Sequence, residues 1–289
     1  MVVALFLPGC REGSLSLPFL GGSGEEHVLA VKDPAYPVGW TSTTTRVLEV
    51  PEMEVEQVLK GKTTTGSGSL NERSQEIVQV LGQDRRRLTI QYDTTNLKHR
   101  LGGEKQVEAV TKGPLVRNFI LLERAGDEWR GTLESGVRPH GKQKKSLASM
   151  VGRLNFADRL FGYEPRRVGA EWKVSYEEEN GRYEERYKLR FDRVEQFQGQ
   201  QCAVITGTVK IKDHSGSDGT LAKTEADAEI TIYRSLEYYI TLRTELAGDY
   251  TKTLFPRSGA RIAMTGPMKV VETAKLKVPQ EVVPVTVRQ

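Results

Sequence analysis

The feature that most constrains this chain is a two-residue alternation running through its second half. Tyr187, Leu189 and Phe191 fall on one side of an extended segment, and Lys188, Arg190 and Asp192 fall on the other. Successive side chains of a strand point to opposite faces, so the pattern predicts a half-buried antiparallel strand with one apolar and one charged face. Trp172, Val174 and Tyr176 repeat it ahead of Asn180-Gly181, a dipeptide suited to the positive φ of both central residues in a type I′ turn. Beyond a turn at Gln198-Gly199-Gln200, a strand over 202–209 and a loop over 215–219, the alternation continues. Ala226, Ala228, Ile230 and Ile232 carry it first, and Ile240, Leu242, Thr244 and Leu246 carry it next. Residues 261–264 and 268–271 read as the last two strands.

The first half has the same period in looser form, with Val47, Glu49, Val55, Gln57 and Leu59 as examples. Residues 77–81 lead through Gly82-Gln83-Asp84 into 88–92 as a hairpin, and 119–123 and 128–133 form another across Ala125-Gly126-Asp127. One helix stands out, over 145–161: Leu147, Met150, Val151 and Leu154 share a face, with Lys144, Lys145 and Arg153 opposite. It either separates two domains or lies across one sheet. The flanking segments, 36–140 and 165–275, share an order of signals. Val38-Gly39-Trp40 and Val168-Gly169-Ala170-Glu171-Trp172 each open a strand, and Ala-Gly-Asp turns follow at 125–127 and 247–249. An internal duplication would produce this order, and so would chance matching of short turn signals. The expected fold is mainly β: a large curled antiparallel sheet or open half-barrel over residues 36–278, one mid-chain helix packed on it, and a tail over 279–289.

The front of the chain reads differently. Val2-Val3-Ala4-Leu5-Phe6-Leu7 is apolar and runs into Leu7-Pro8-Gly9-Cys10, which resembles a bacterial lipobox and so implies lipid attachment at Cys10. An ordinary apolar start or an edge strand is the alternative. Residues 11–35, rich in glycine and serine, read as a flexible tether. No later stretch approaches the roughly 20 apolar residues of a membrane span, so membrane contact is expected only through the lipid anchor, if Cys10 is modified.

Catalytic signatures do not emerge. H-E-x-x-H, G-x-S-x-G, G-x-G-x-x-G and phosphate-loop motifs are missing, and His27, His99, His140 and His214 are scattered through polar stretches. Glu177-Glu178-Glu179 and Glu184-Glu185 flank one turn and read as a solvated hairpin end. Cys202 sits in an apolar strand with no basic neighbour to lower its pKa, as an inert buried thiol would. No catalytic residue, metal ligand or cofactor site is predicted, and the chain is not expected to be an enzyme. Its 42 basic and 38 acidic side chains leave a net charge of only +4. The clusters Arg85-Arg86-Arg87, Lys98-His99-Arg100, Lys142-Gln143-Lys144-Lys145 and Arg166-Arg167 are short, separated by acidic runs and free of interleaved aromatics, so no nucleic-acid partner is expected.

Taken together, the lipobox-like start, the tether, the long alternating strands, the mid-chain helix, the Val168-to-Trp172 opening and the Gly266-Pro267-Met268-Lys269 strand resemble uncharacterised bacterial cell-envelope lipoproteins. The resemblance spans residues 36–275. Those proteins are similar to lipoprotein-carrier half-barrels, in which a curled antiparallel sheet covered by helices holds acyl chains. The resemblance implies a periplasmic-side envelope protein, without catalytic activity, that binds an apolar ligand (a lipid or acyl chain) or another envelope protein on its concave face. Trp172, Leu189, Phe191, Ile240 and Leu242 are the residues expected to face that ligand. A structural or interaction module that recruits a partner through an exposed strand edge is the alternative, with a hydrolase less favoured.

Overall fold

The computed structural model describes residues 24–32, 34–157, 159–178, 181–214, 216–217 and 220–279. Its first half contains β1 (Glu26–His27), β2 (Thr41–Leu59), β3 (Lys62–Gly82), β4 (Arg85–Leu101), β5 (Val107–Lys112), β6 (Phe119–Ala125) and β7 (Glu128–Leu133), followed by helix α1 (Gly141–Ala157). The second half contains β8 (Arg166–Arg167), β9 (Glu171–Glu177), β10 (Tyr183–Phe197), β11 (Gln200–Asp213), β12 (Gly216–Ser217), β13 (Thr220–Ser235), β14 (Thr241–Phe255) and β15 (Arg261–Lys277). Thirteen of the strands form one antiparallel sheet, ordered β7-β6-β4-β3-β2-β15-β14-β13-β11-β10-β9, with β5 on β4 and β12 on β13. Each half is a meander of sequence neighbours, and the pairing of β15 with β2 joins them. The sheet is not closed, because β7 and β9 end the order without pairing to each other.

Glycines at inward-facing positions explain the curl. Gly207 pairs with Leu189 and Ile230, and Gly248 pairs with Ala228 and Met268, all of them inner-face residues. A Cβ at Gly207 would lie 2.0 Å from the Lys188 carbonyl oxygen, and one at Gly248 would lie 2.1 Å from that of Asp227. Adjacent backbones approach this closely only where no side chain intervenes, which is how a sheet bends tightly. The Gln198-Gly199 hairpin between β10 and β11 has φ of 52° and 77°, as a type I′ turn requires.

Two strands are longer than their sequence signals. Residues 261–264 and 268–271, expected as separate strands, are one strand, and β2 likewise runs through Pro51. The register shifts between Val50 and Met53 in β2 and between Thr265 and Lys269 in β15. Pro51 and Pro267 lie within these bulges, where a missing N–H costs no ladder bond.

The helix lies across the gap between the two sheet edges. Leu147 packs in a core with Leu88, Ile90, Ile120, Leu122 and Trp129, and Met150, Val151 and Leu154 join it. Asn155 meets edge strand β7 as another strand would, accepting from Trp129 N–H at 2.7 Å and donating to its carbonyl at 3.1 Å. On the far side Phe156 contacts Tyr176 of β9, with ring centroids 5.1 Å apart. The helix runs over Gly141–Ala157 rather than 145–161: it begins six residues before Leu147 opens its apolar stripe, because its first six residues carry no apolar side chain.

Part of the stretch read as a tether is core. Leu29 and Ala30 are fully buried in the main cluster with Phe161, Leu189, Phe191, Ile205 and Ile232. The buried Arg234 donates to the Leu29 carbonyl at 3.0 Å and stacks 4.3 Å from the Phe161 ring. β1 pairs with β8, fastened by Arg167 and Glu26 at 3.0 Å. Residues 26–31 and 160–167 thus form a plug on one end of the concave face. The tether reading failed there because four apolar residues, Val28-Leu29-Ala30-Val31, are too short a run to show a period.

Candidate functional site

Beyond the plug, the concave face changes from apolar to charged and back. Thr244, Glu272, Arg46, Ser74 and Asp93 are register partners across β14, β15, β2, β3 and β4, so they form one row on the inner face. Glu72 and Glu76 flank Ser74 on the same face of β3. Arg46 reaches Glu72 at 4.0 Å, and their side chains are 40% and 29% exposed although both lie on the inner face. Arg153 projects from α1 toward Tyr183, Glu185 and Glu76 and hydrogen-bonds Tyr183. On the opposite wall, Tyr187 donates to Glu185 at 2.7 Å and Tyr183 donates to the same carboxylate.

Burial, then the nearby Glu272 carboxylate, pushes the Glu76 carboxyl above its ordinary value. The Glu272 carboxyl is also raised by burial, against the opposing pull of Arg46 and Arg153. Burial followed by Glu72 raises Asp93. Tyr183 and Tyr187 are pushed far up by burial and by Glu185, which keeps both hydroxyls protonated as donors. These groups lie deep in the protein, yet Glu76, Asp93, Glu272, Tyr183 and Tyr187 all keep some accessible surface. That surface faces the hollow of the sheet.

The raised carboxyls give a signed pH dependence. A carboxyl whose folded pKa exceeds its unfolded one destabilises the fold as pH rises from the unfolded value, and the penalty is absent below it. Glu272→Gln is therefore expected to raise the melting temperature at neutral pH, with the gain vanishing below the ordinary glutamate value of 4.5. Thermal melts of parent and variant across that range check this, and a gain that grows on acidification would contradict it.

On the side of the charged row away from the plug the wall is apolar. Leu48, Val50, Met53, Leu70, Met268 and Val270 are buried there, while Leu97, Ile211, Leu246, Leu254 and Ile262 are only partly covered. From Val270 to Ile262 along β15 this wall extends about 26 Å at roughly 3.3 Å per residue. All six residues of β5 are exposed, including Val107, Ala109 and Thr111, which pair with inner-face residues His99, Leu97 and Thr95. The concave face is therefore uncovered along this edge.

The residues expected from sequence to face a ligand lie mostly under the plug. Leu189 and Phe191 are buried in the main core, and His27 packs edge-on against Phe191 at 5.7 Å. Trp172 donates its indole N–H to the Leu160 carbonyl at 2.8 Å, beneath the Arg166 guanidinium at 4.3 Å. Leu242 is fully buried, and Ile240 lies in the turn before β14, its carbonyl bonded by Ser235 N–H at 2.8 Å. The structure covers this group with the chain itself. The charged row was missed from sequence, although Glu76, Arg46 and Glu272 are detectable as charges at inward parity, Glu272 standing between Val270 and Ala274.

Cys202 is buried, and burial, then Glu195, pushes its thiol up to about 11. Cys10 lies outside the described residues. Among those residues, no helix is long and apolar enough to cross a membrane, and no three His, Cys, Asp or Glu side chains converge as metal ligands. A shallow depression of about 590 Å³ lies where the two proline bulges meet, lined by Glu52, Glu54 and Asp249 beside Met53 and Pro267.

Neither a family model nor a curated protein sequence matches the chain. Among solved structures it is similar to lipovitellin, in a structure concerned with lipid–protein interactions, at 9% identity and a TM-score of 0.41. That match covers 88% of this chain but only 27% of the lipovitellin chain. A DUF1329 family protein from Desulfovibrio piger matches at 9% identity and a TM-score of 0.14, covering 85% of this chain and 88% of that one. OpdK of Pseudomonas aeruginosa matches at 8% identity and 0.14, covering 82% and 99%.

Proposed function

We propose that this protein is a non-catalytic binding protein of the bacterial cell envelope, on its periplasmic side, whose concave face takes the apolar part of a lipid or other amphiphile. One observation carries this reading: the partly covered apolar wall formed by Leu97, Ile211, Leu246, Leu254 and Ile262 beside the uncovered β5 edge. An apolar surface on a concave face gains from excluding water, at about 25 cal/mol per Å². Trp172, Leu189 and Phe191, which pack under the plug, hold the closed end of the site. The envelope assignment rests on the lipobox-like Leu7-Pro8-Gly9-Cys10.

A fluorescent acyl probe titrated into the protein tests the binding. Leu246→Arg, which places a charge in the middle of the wall, is expected to weaken the probe at least about tenfold, or about 1.4 kcal/mol. Equal probe binding by parent and variant would overturn the site. An unlipidated Cys10 in a cytosolic chain, read by mass spectrometry of cell fractions, would overturn the envelope assignment. The exposed β5 edge, with Val107 and Val110 at the surface, supports a second reading, in which another envelope protein pairs with that strand.

A further inference from the structure

The charges on the concave face do not balance. Five carboxylates, Glu72, Glu76, Asp93, Glu185 and Glu272, face the guanidinium groups of Arg46 and Arg153. Both guanidiniums are already engaged, Arg46 with Glu72 and Arg153 with Tyr183 and Glu185. Glu185 in turn accepts from Tyr183 and Tyr187. Glu76 and Glu272 have no hydrogen-bond or ion-pair partner among the described residues, although both are almost completely surrounded by protein. Their remaining surface faces the hollow, with the apolar wall on one side and the rings of Tyr176, Tyr183, Tyr187 and Phe156 across from them.

Resting on the function proposed above, we infer that the ligand's polar end is an ammonium group, held by Glu76, Glu272 and Asp93, while its apolar chain lies along the wall beyond Leu48 and Val270. A cation there compensates carboxylates whose burial Arg46 and Arg153 offset only in part, and an incompletely compensated buried charge is costly to a fold. Aromatic faces favour the same charge, through attraction of an ammonium to the ring quadrupole. An anionic head would add to a negative excess. Burial disfavours each of these charges, so a cation that neutralised them would relieve that cost.

Calorimetric titration with three amphiphiles of equal chain length, below their micelle-forming concentrations, tests this. Dodecyltrimethylammonium is expected to bind at least about tenfold tighter than dodecyl maltoside, with dodecanoate weakest. The double variant Glu76→Gln and Glu272→Gln is expected to lose the preference for the ammonium while keeping its binding of the neutral compound. Its melting curve confirms that it is folded. Acidification toward 4.5 should erase the preference as Glu76, Glu272 and Asp93 take up protons beside Glu72, Glu185, Arg46 and Arg153. Binding of all three compounds with equal affinity, or tightest binding of dodecanoate, would overturn the inference and leave the amphiphile site intact. Failure of all three to bind would overturn the proposed function itself. Tetramethylammonium ion binding as tightly as the amphiphile would assign the carboxylates to a free soluble cation and overturn the head-and-chain arrangement.

Discussion

Gly207→Val is expected to leave no cooperatively folded protein at room temperature, whereas Gly103→Ala is expected to melt like the parent. The Gly207 Cβ would meet the Lys188 carbonyl oxygen at 2.0 Å and the Leu189 Cα at 3.0 Å, all backbone atoms that no rotamer change can move. Relief requires β10 and β11 to part, which breaks ladder bonds worth about 1 kcal/mol each and flattens the sheet where Leu189 and Ile230 must meet across it. Overpacking a core side chain alone costs about 1–3 kcal/mol, and a whole domain is stable by only about 5–15 kcal/mol. At Gly103 a Cβ meets nothing within 4 Å. Circular dichroism with thermal melts measures both. A valine variant melting within about 2 °C of the parent would show that the curl does not depend on this close approach.

The second half of the fold was legible in the sequence because its strands obey the alternation along most of their length. Tyr187, Leu189 and Phe191 are inward-facing, as are Ala226, Ala228, Ile230 and Ile232, and the paired hairpins follow the predicted order. The first half was harder to read for a physical reason. The start of β3, Lys62 to Ser69, contains only Lys, Thr, Gly and Ser, and is a strand because β2 pairs with it from Lys62 and β4 joins on the other side from Gly66. Context of that kind overrides local preference in sheets. Pro51 and Pro267 are accommodated by bulges facing each other across β2 and β15, so the two segments expected at 261–264 and 268–271 join into one strand.

The candidate site was legible only as exceptions. Arg46, Glu76, Asp93 and Glu272 come from four different strands, and nothing local says that they lie together; that follows from register, which puts Glu272, Arg46 and Asp93 in one row with Ser74 and Glu76 two residues beyond Ser74. Arg153 was assigned to the solvent side of the helix because its neighbours Leu147, Met150, Val151 and Leu154 define the buried side. The helix bridges two edges and so has two working faces, with Arg153 and Phe156 turned toward β10 and β9. A single apolar stripe cannot reveal a second face that is polar and aromatic.

Phe161→Ala is expected to cost about 3–5 kcal/mol, the range for removing a buried aromatic ring, and to lower the melting temperature by roughly 6–20 °C. The ring is 2% exposed and belongs to the main core with Leu29, Leu189 and Phe191. The cost should lie toward the upper end of that range, because the walls of the resulting cavity are strands held on both sides by their ladders and cannot close in. Arg234 adds to it, since its buried guanidinium lies 4.3 Å from the ring and anchors Leu29. Removing the ring takes away one face of that packing and loosens residues 26–31 from the end of the sheet. The variant should also gain room beside Trp172, Leu189 and Phe191, where a benzene-sized molecule can enter a dry apolar cavity. Benzene is therefore expected to raise the melting temperature of Phe161→Ala and not that of the parent. A loss under about 2 °C, with no benzene effect, would mean that the ring does not seal this end of the concave face.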